Sequence, residues 1–147
     1  MDIQTVIDKQ AVHDLQVRYL WALDRNDYDD LDFVFTPDVV ADYAHAGQHT
    51  NIQQVKQACH DALVELDSSH HQNGNHWAEI DGDAATAGCY FRVHLFRANA
   101  PGGDYLRMGG RYEDKLIRTA EGWRIHYRSI RIDWSEGNPD VRSFAVG

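Results

Sequence analysis

Residues 69–96 read SHHQNGNHWAEIDGDAATAGCYFRVHLF, two strand-like runs that meet at Asp81-Gly82-Asp83. An Asp-Gly step between runs carrying β-branched and aromatic residues signals a hairpin, because a tight turn needs residues that tolerate positive φ. Downstream, Asn99-Ala100-Pro101-Gly102-Gly103 reads as a longer loop and Ala120-Glu121-Gly122 as another tight turn. Four long strands joined by three hairpins follow from these signals, and such a meander is an antiparallel sheet that curls. Upstream of Ser69 the pattern is helical. Val12, Leu15, Tyr19 and Leu23 recur at helical spacing, with a start near residues 5–8 and an end around 24–26. A short acidic helix over 28–35 stops before Pro37, and 39–43 reads as a short strand. Asn51 caps a third helix running to about residue 66, with Ile52, Val55, Cys59, Leu63 and Leu66 on one face.

Helices first and a meander afterwards predict an α+β domain. The expected architecture is a cone-shaped α+β barrel, three N-terminal helices packed on a strongly curved, mostly antiparallel sheet, with a conical cavity open at one end. The domain is expected over 1–134, followed by a Gly- and Pro-containing tail over 135–147.

A chain of 147 residues buries about two-thirds of its unfolded surface, enough for a core and an internal pocket. Its 43% hydrophobic and 25% charged residues exclude a disordered or fibrous chain. Lys and Arg number 14 against 23 Asp and Glu, a net charge of −9. A surface that neutralises phosphates needs the opposite sign, so nucleic acid is excluded as a partner. No apolar run approaches the roughly 20 residues that span a bilayer, and no basic-then-apolar leader opens the chain. A cytoplasmic protein without membrane association is expected. Cys59 and Cys89 form neither a disulfide framework nor a CxxC pair.

Several blocks, in order, carry a resemblance. Ala22-Leu23-Asp24 ends the first helix, and His71-Gln72-Asn73-Gly74-Asn75 leads into Ile80-Asp81-Gly82-Asp83-Ala84. Gly110-Arg111-Tyr112-Glu113-Asp114 lies in the third long strand, and Gly122-Trp123-Arg124-Ile125 precedes Arg128 and Ile132-Asp133-Trp134. Across residues 5–135 this set resembles the SnoaL-like branch of the nuclear transport factor 2-like superfamily. That fold hosts scytalone dehydratase, bile acid 7α-dehydratase, lindane dehydrochlorinase, ketosteroid isomerase and plain binding modules, so fold alone does not decide function.

The resemblance implies that Asp24, closing the first helix, pairs with His71 at the start of the first long strand. Tyr19, five residues before Asp24, matches a tyrosine of the bile acid dehydratase. These residue types suit β-elimination: a His oriented by a carboxylate takes a proton, and a Tyr hydroxyl polarises or protonates the departing oxygen. Periodicity alone leaves the site open. A helical wheel puts Asp24 about 140° from Tyr19, on the flank of the apolar stripe. His70 competes with His71, since adjacent strand residues face opposite sides; the family spacing selects His71. Arg131 alternates in phase with Trp123, Ile125, Tyr127 and Ser129, a candidate pocket face where the resemblance implies an arginine that holds an anionic or leaving group, whereas Arg124 and Arg128 are in the opposite phase. One bulge would exchange them. Trp21, Tyr43, Phe91, Tyr105, Met108 and Trp134 are expected to line the pocket, with Trp77 a further candidate.

Rival chemistries lack their motifs. His45 and His49, the i, i+4 pair, sit in a Gly-containing loop, and there is no HExxH, so no metal is expected. The acidic run 24–32 lacks the glycine and distal glutamate of a calcium loop. No P-loop, GxSxG or GxGxxG is present. The expectation is a cofactor-independent lyase, a dehydratase of a small hydrophobic cyclic substrate. The alternatives are an isomerase, a polyketide-cyclase-type enzyme, or a non-catalytic ligand-binding or oligomerisation module. A homodimer or homotrimer is expected, because one face of a long curved sheet would otherwise stay exposed.

Overall fold

The computed structural model describes residues 1–142. Helix α1 (Ile3–Asp24) begins where the Asp2 side chain accepts a hydrogen bond from the Thr5 amide at 2.8 Å. Val12, Leu15, Tyr19, Leu20 and Leu23 form its buried stripe. Asn26, at φ 54°, turns the chain out of the helix. A 3₁₀ helix (Tyr28–Phe33) follows, then strand β1 (Phe35–Asp42), the two-residue strand β2 (Gln48–His49) and helix α2 (Ile52–Leu63). Asn51 caps α2 by accepting from the Gln54 amide at 2.9 Å. The long meander is β3 (Ser68–Asp81), β4 (Ala84–Phe96), β5 (Tyr105–Thr119) and β6 (Gly122–Gly137).

The six strands run in the order β2-β1-β6-β5-β4-β3. All neighbours are antiparallel except β1 and β6. The sheet is mixed, is not closed, and bends into the cone-shaped α+β fold with the three helices packed on it. Phe35, Val39, Val55, Leu116 and Ile125, each at most 1% exposed, make the centre of the core.

Three details differ from the sequence reading. The second helix is a single 3₁₀ segment, and β1 starts before Pro37 rather than after it; the proline sits where the β1–β6 register shifts, so no ladder bond is lost. Strand β6 runs through Gly137, into the stretch expected as a tail, and Pro139–Val141 form a further 3₁₀ turn. Most consequential, β6 is irregular twice. Lys115 pairs with Tyr127 but Leu116 with Ile125, so His126 is an extra residue; Gly109 pairs with Trp134 but Gly110 with Ile132, so Asp133 is another. The first bulge moves Arg128 from the outward phase to the inside.

Candidate active site

Three walls enclose a cavity of about 740 Å³. From α1 come Tyr19 and Leu23, and from α2 come Ala58, Cys59, Ala62 and Leu63. The sheet contributes His71 of β3, Phe91, Val93 and Leu95 of β4, Leu106, Met108 and Tyr112 of β5, and Ile130, Ile132 and Trp134 of β6. Tyr43 lies just after β1 and also lines it. A mostly apolar concavity with few polar groups is the usual form of a small-molecule site.

The principal polar feature is carried by α1 and β3. Asp24, the last residue of α1, reaches across to β3 with both oxygens. Its Oδ1 accepts from His71 Nδ1 at 2.6 Å and from Ser69 Oγ at 2.8 Å, while Oδ2 accepts the His71 backbone N–H at 2.9 Å. The His71 side chain is 7% exposed and that of Asp24 18%. His71 lines the cavity, and both residues also border an outer groove beside Trp21 and Arg25. Burial alone would raise the Asp24 pKa, but the hydrogen bonds and charge of His71, with Ser69, outweigh it and hold the carboxyl below its usual value. A carboxylate accepting from Nδ1 leaves Nε2 as the imidazole's free lone pair. His70 is exposed on the other face of β3.

A second polar cluster is built on tyrosines. The Tyr19 and Tyr43 hydroxyls are 2.8 Å apart, beside the Cys59 thiol. Burial pushes both phenols well above their ordinary pKa and the thiol to about 12, so all three remain protonated near neutrality. Beneath them Arg128, fully buried, is sandwiched between the Tyr19 and Tyr112 rings at 4.4 and 4.3 Å. Its Nε and Nη2 donate to Asp114 at 2.7 and 2.9 Å.

The other expected positions divide. Tyr43, Phe91, Met108 and Trp134 line the cavity. Trp21 does not: it is 56% exposed on the outer face of α1, with the Arg25 guanidinium over its ring. Tyr105 is 42% exposed and packs edge-on to His94 at the sheet's outer face. Arg131 also points outward, its side chain 71% exposed and paired with Asp133 at 3.1 Å, because the His126 bulge reverses the phase of β6. Trp77 is half-exposed, its indole lying over Gly88. Sequence reasoning missed Ser69, which shares the strand phase of His71 and was legible by alternation. It also missed the inward Arg128, for which the sequence carries no signal.

Comparison with known proteins agrees with this architecture. Residues 4–129 match the family model described as a SnoaL-like domain. An uncharacterized protein of Mycobacterium tuberculosis is 34% identical over 129 residues, covering 85% of each chain. Among solved structures, a Novosphingobium aromaticivorans protein assigned as a scytalone dehydratase superposes with a TM-score of 0.84 at 16% identity, covering 94% of this chain and 92% of that one. A type 2 hexachlorocyclohexane dehydrochlorinase superposes with a TM-score of 0.83 at 12% identity, covering 94% and 93%. Identities this low show a shared fold, while the family match spans most of the sequence: the chain belongs to the SnoaL-like domain family.

Proposed function

We propose that this protein is a cofactor-independent general acid/base enzyme, a dehydratase acting on a small, largely hydrophobic cyclic substrate. The observation that carries this reading is the 2.6 Å contact from Asp24 to His71 Nδ1, with the His71 ring lining the cavity. His71 Nε2 removes a proton from the carbon beside the one bearing the hydroxyl. The C–H electron pair becomes the C=C bond as the C–O bond breaks, and the departing oxygen takes a proton to leave as water. Asp24 fixes the tautomer and stabilises the imidazolium. Tyr19, with its pKa raised by burial, acts as a hydrogen-bond donor to the oxygen, and the imidazolium supplies the proton. Related structures that carry dehydratase and dehydrochlorinase names are consistent with elimination.

The test is a panel of cyclic β-hydroxy ketones, followed by the absorbance of the conjugated enone. Wild-type turnover lost in His71→Ala by about 10²–10⁴-fold, the ordinary worth of a general base, is the expected result. Turnover that survives in His71→Ala sinks the dyad mechanism. The paired Tyr19 and Tyr43 hydroxyls also suit an isomerase, which stabilises an enolate oxygen with the same donors. A shifted double bond without loss of water is the product that selects it. The outer sheet face exposes Trp77, Tyr90, Phe96 and Tyr105, and we assign it to a homodimer or homotrimer contact. Light scattering that returns a 16.8 kDa monomer overturns that assignment.

A further inference from the structure

We propose that the outer face of the sheet is self-complementary, and that a second copy of the chain packs on it face to face about a two-fold axis running across the strands. This rests on the reading of that face as a homo-oligomer contact, and it narrows the assembly to a dimer of one geometry. Cross-strand pairing lays out the exposed residues of β3 to β6 in rows. Toward the end where β3 begins, the rows carry Arg92, Arg107, Arg111 and Arg131. Glu136 pairs with Arg107, and Asp133 takes both Arg111 and Arg131, so four arginines meet two carboxylates. Arg92 has no ion-pair partner among the described residues. Toward the opposite end the rows carry Glu79, Asp81 and Glu113 against Lys115. None of these three carboxylates has an ion-pair partner among the described residues, and Lys115 lies over the Tyr127 ring. Arg124, at the margin of that end, is matched by Glu121.

A face charged oppositely at its two ends is selective about how it meets its own copy. Two aligned sheets in a closed pair are related by a two-fold axis that lies between the faces, along the strands or across them. An axis along the strands sets each end against the same end of the other copy, arginine against arginine. An axis across the strands sets the arginine end of one copy on the carboxylate end of the other, and attraction replaces like-charge repulsion. The middle of the face is apolar. Tyr90 is 54% exposed and Trp77 46%, in neighbouring rows where the two halves meet, and the Trp77 indole covers Gly88. An aromatic centre with a charged rim is the ordinary anatomy of a protein interface. The size fits as well. Four strands about 4.8 Å apart, β4 among them with 13 residues, make a face of roughly 19 by 40 Å, close to the about 800 Å² per partner of a standard interface.

An axis passing between the Tyr90 and Trp77 rows puts the Arg92 row of one copy opposite the Glu79 row of the other. The test is sedimentation equilibrium of the full chain at low and high salt, with Arg92→Glu, Glu79→Arg, the two combined, Tyr90→Asp, and Asp14→Arg on the helix layer as control. Wild type is expected to be a dimer of the 16.8 kDa chain that loosens as salt rises. Each single reversal is expected to weaken the dimer by about tenfold or more, and the combination to restore most of that loss. Asp14→Arg is expected to leave it unchanged. Thermal melts establish that each variant is folded. A trimer, a dimer indifferent to both reversals, reversals that fail to rescue one another, or a dimer that Arg92→Glu tightens overturns the proposal. If Tyr90→Asp still breaks such an assembly, the face remains a contact and the axis alone is wrong. A wild-type monomer, or an assembly that survives Tyr90→Asp, overturns the reading of the face as a contact as well.

Discussion

The Asp24 carboxylate accepts three hydrogen bonds, all from the two residues Ser69 and His71. Three donors converging on one carboxylate fix its position, and through Nδ1 they fix the imidazole. Asp24→Asn preserves the size of the side chain but replaces an anion with a neutral amide, so the imidazolium loses its stabilising charge. Activity is expected to fall by two orders of magnitude or more, with far less change in substrate affinity; a KM rise at unchanged kcat would instead make Asp24 a binding residue. The tautomer is checked directly. In the neutral imidazole, ¹⁵N shifts of His71 are expected to show protonated Nδ1 and bare Nε2, and Asp24→Asn to mix the two forms. Ser69→Ala removes one of the three donors and is expected to cost tenfold or less.

At the scale of elements, the bulges on β6 decide what the sheet presents to the cavity. Gly110 sits beside one of them, and a Cβ there would overlap the Arg131 backbone carbonyl, which cannot rotate away. Gly110→Ala is therefore expected to destabilise the fold by about 1–3 kcal/mol, read as a lower urea midpoint. Gly74, near the β3 irregularity, has open space for 4 Å around the point where a Cβ would stand, so Gly74→Ala is expected to stay within about 0.5 kcal/mol of wild type. Equal effects at the two glycines would refute a crowded β5–β6 junction. The loop 99–103 has its own tie, since Asn138 holds two of its carbonyls and joins the β4–β5 connection to the end of β6.

For the whole molecule, two ionic centres connect distant layers. Arg128 and Asp114, both side chains fully buried, join β6 to β5 while the guanidinium faces the rings of Tyr19 on α1 and Phe35 on β1. Asp114→Asn leaves that cation without a counter-charge, and unfolding free energy is expected to drop by about 3–5 kcal/mol; a loss below 1 kcal/mol would mean water reaches the pair. Asp8 anchors the start of α1 to the far end of the sheet, accepting two bonds from Arg118 at 2.9 Å and one from Trp123 Nε1 at 3.1 Å. Arg118 foremost, then Trp123, holds the Asp8 carboxyl well below the usual range, and Asp24 is lowered as well. Groups depressed in the folded state bind protons more readily when unfolded, so their stabilisation is complete above about pH 4 and is lost as pH falls through the folded values. Acid melts of wild type are expected to show that loss, and Asp8→Asn to flatten it.

Periodicity and turn chemistry determined the α+β class, the hairpins at 81–83 and 120–122, the Asn51 cap and the apolar face of α2, because these are local consequences of side-chain spacing and of residues that tolerate positive φ. The pairing of Asp24 with His71 was reached through family spacing rather than the helical wheel: the last residue of a helix is aimed by what it meets, and a wheel places it only on the flank. Tertiary structure alone decided the rest. A β-bulge leaves no local signature in alternation, yet one extra residue at His126 put Arg128 inside and Arg131 in solvent. Trp21 and Tyr105 are outside the cavity because the layers that cover α1 and β5 cover their other faces. Arg142 reaches the cavity only because Asn138 and Val141 bind a turn back onto the sheet, an outcome of long-range packing that no window of sequence contains.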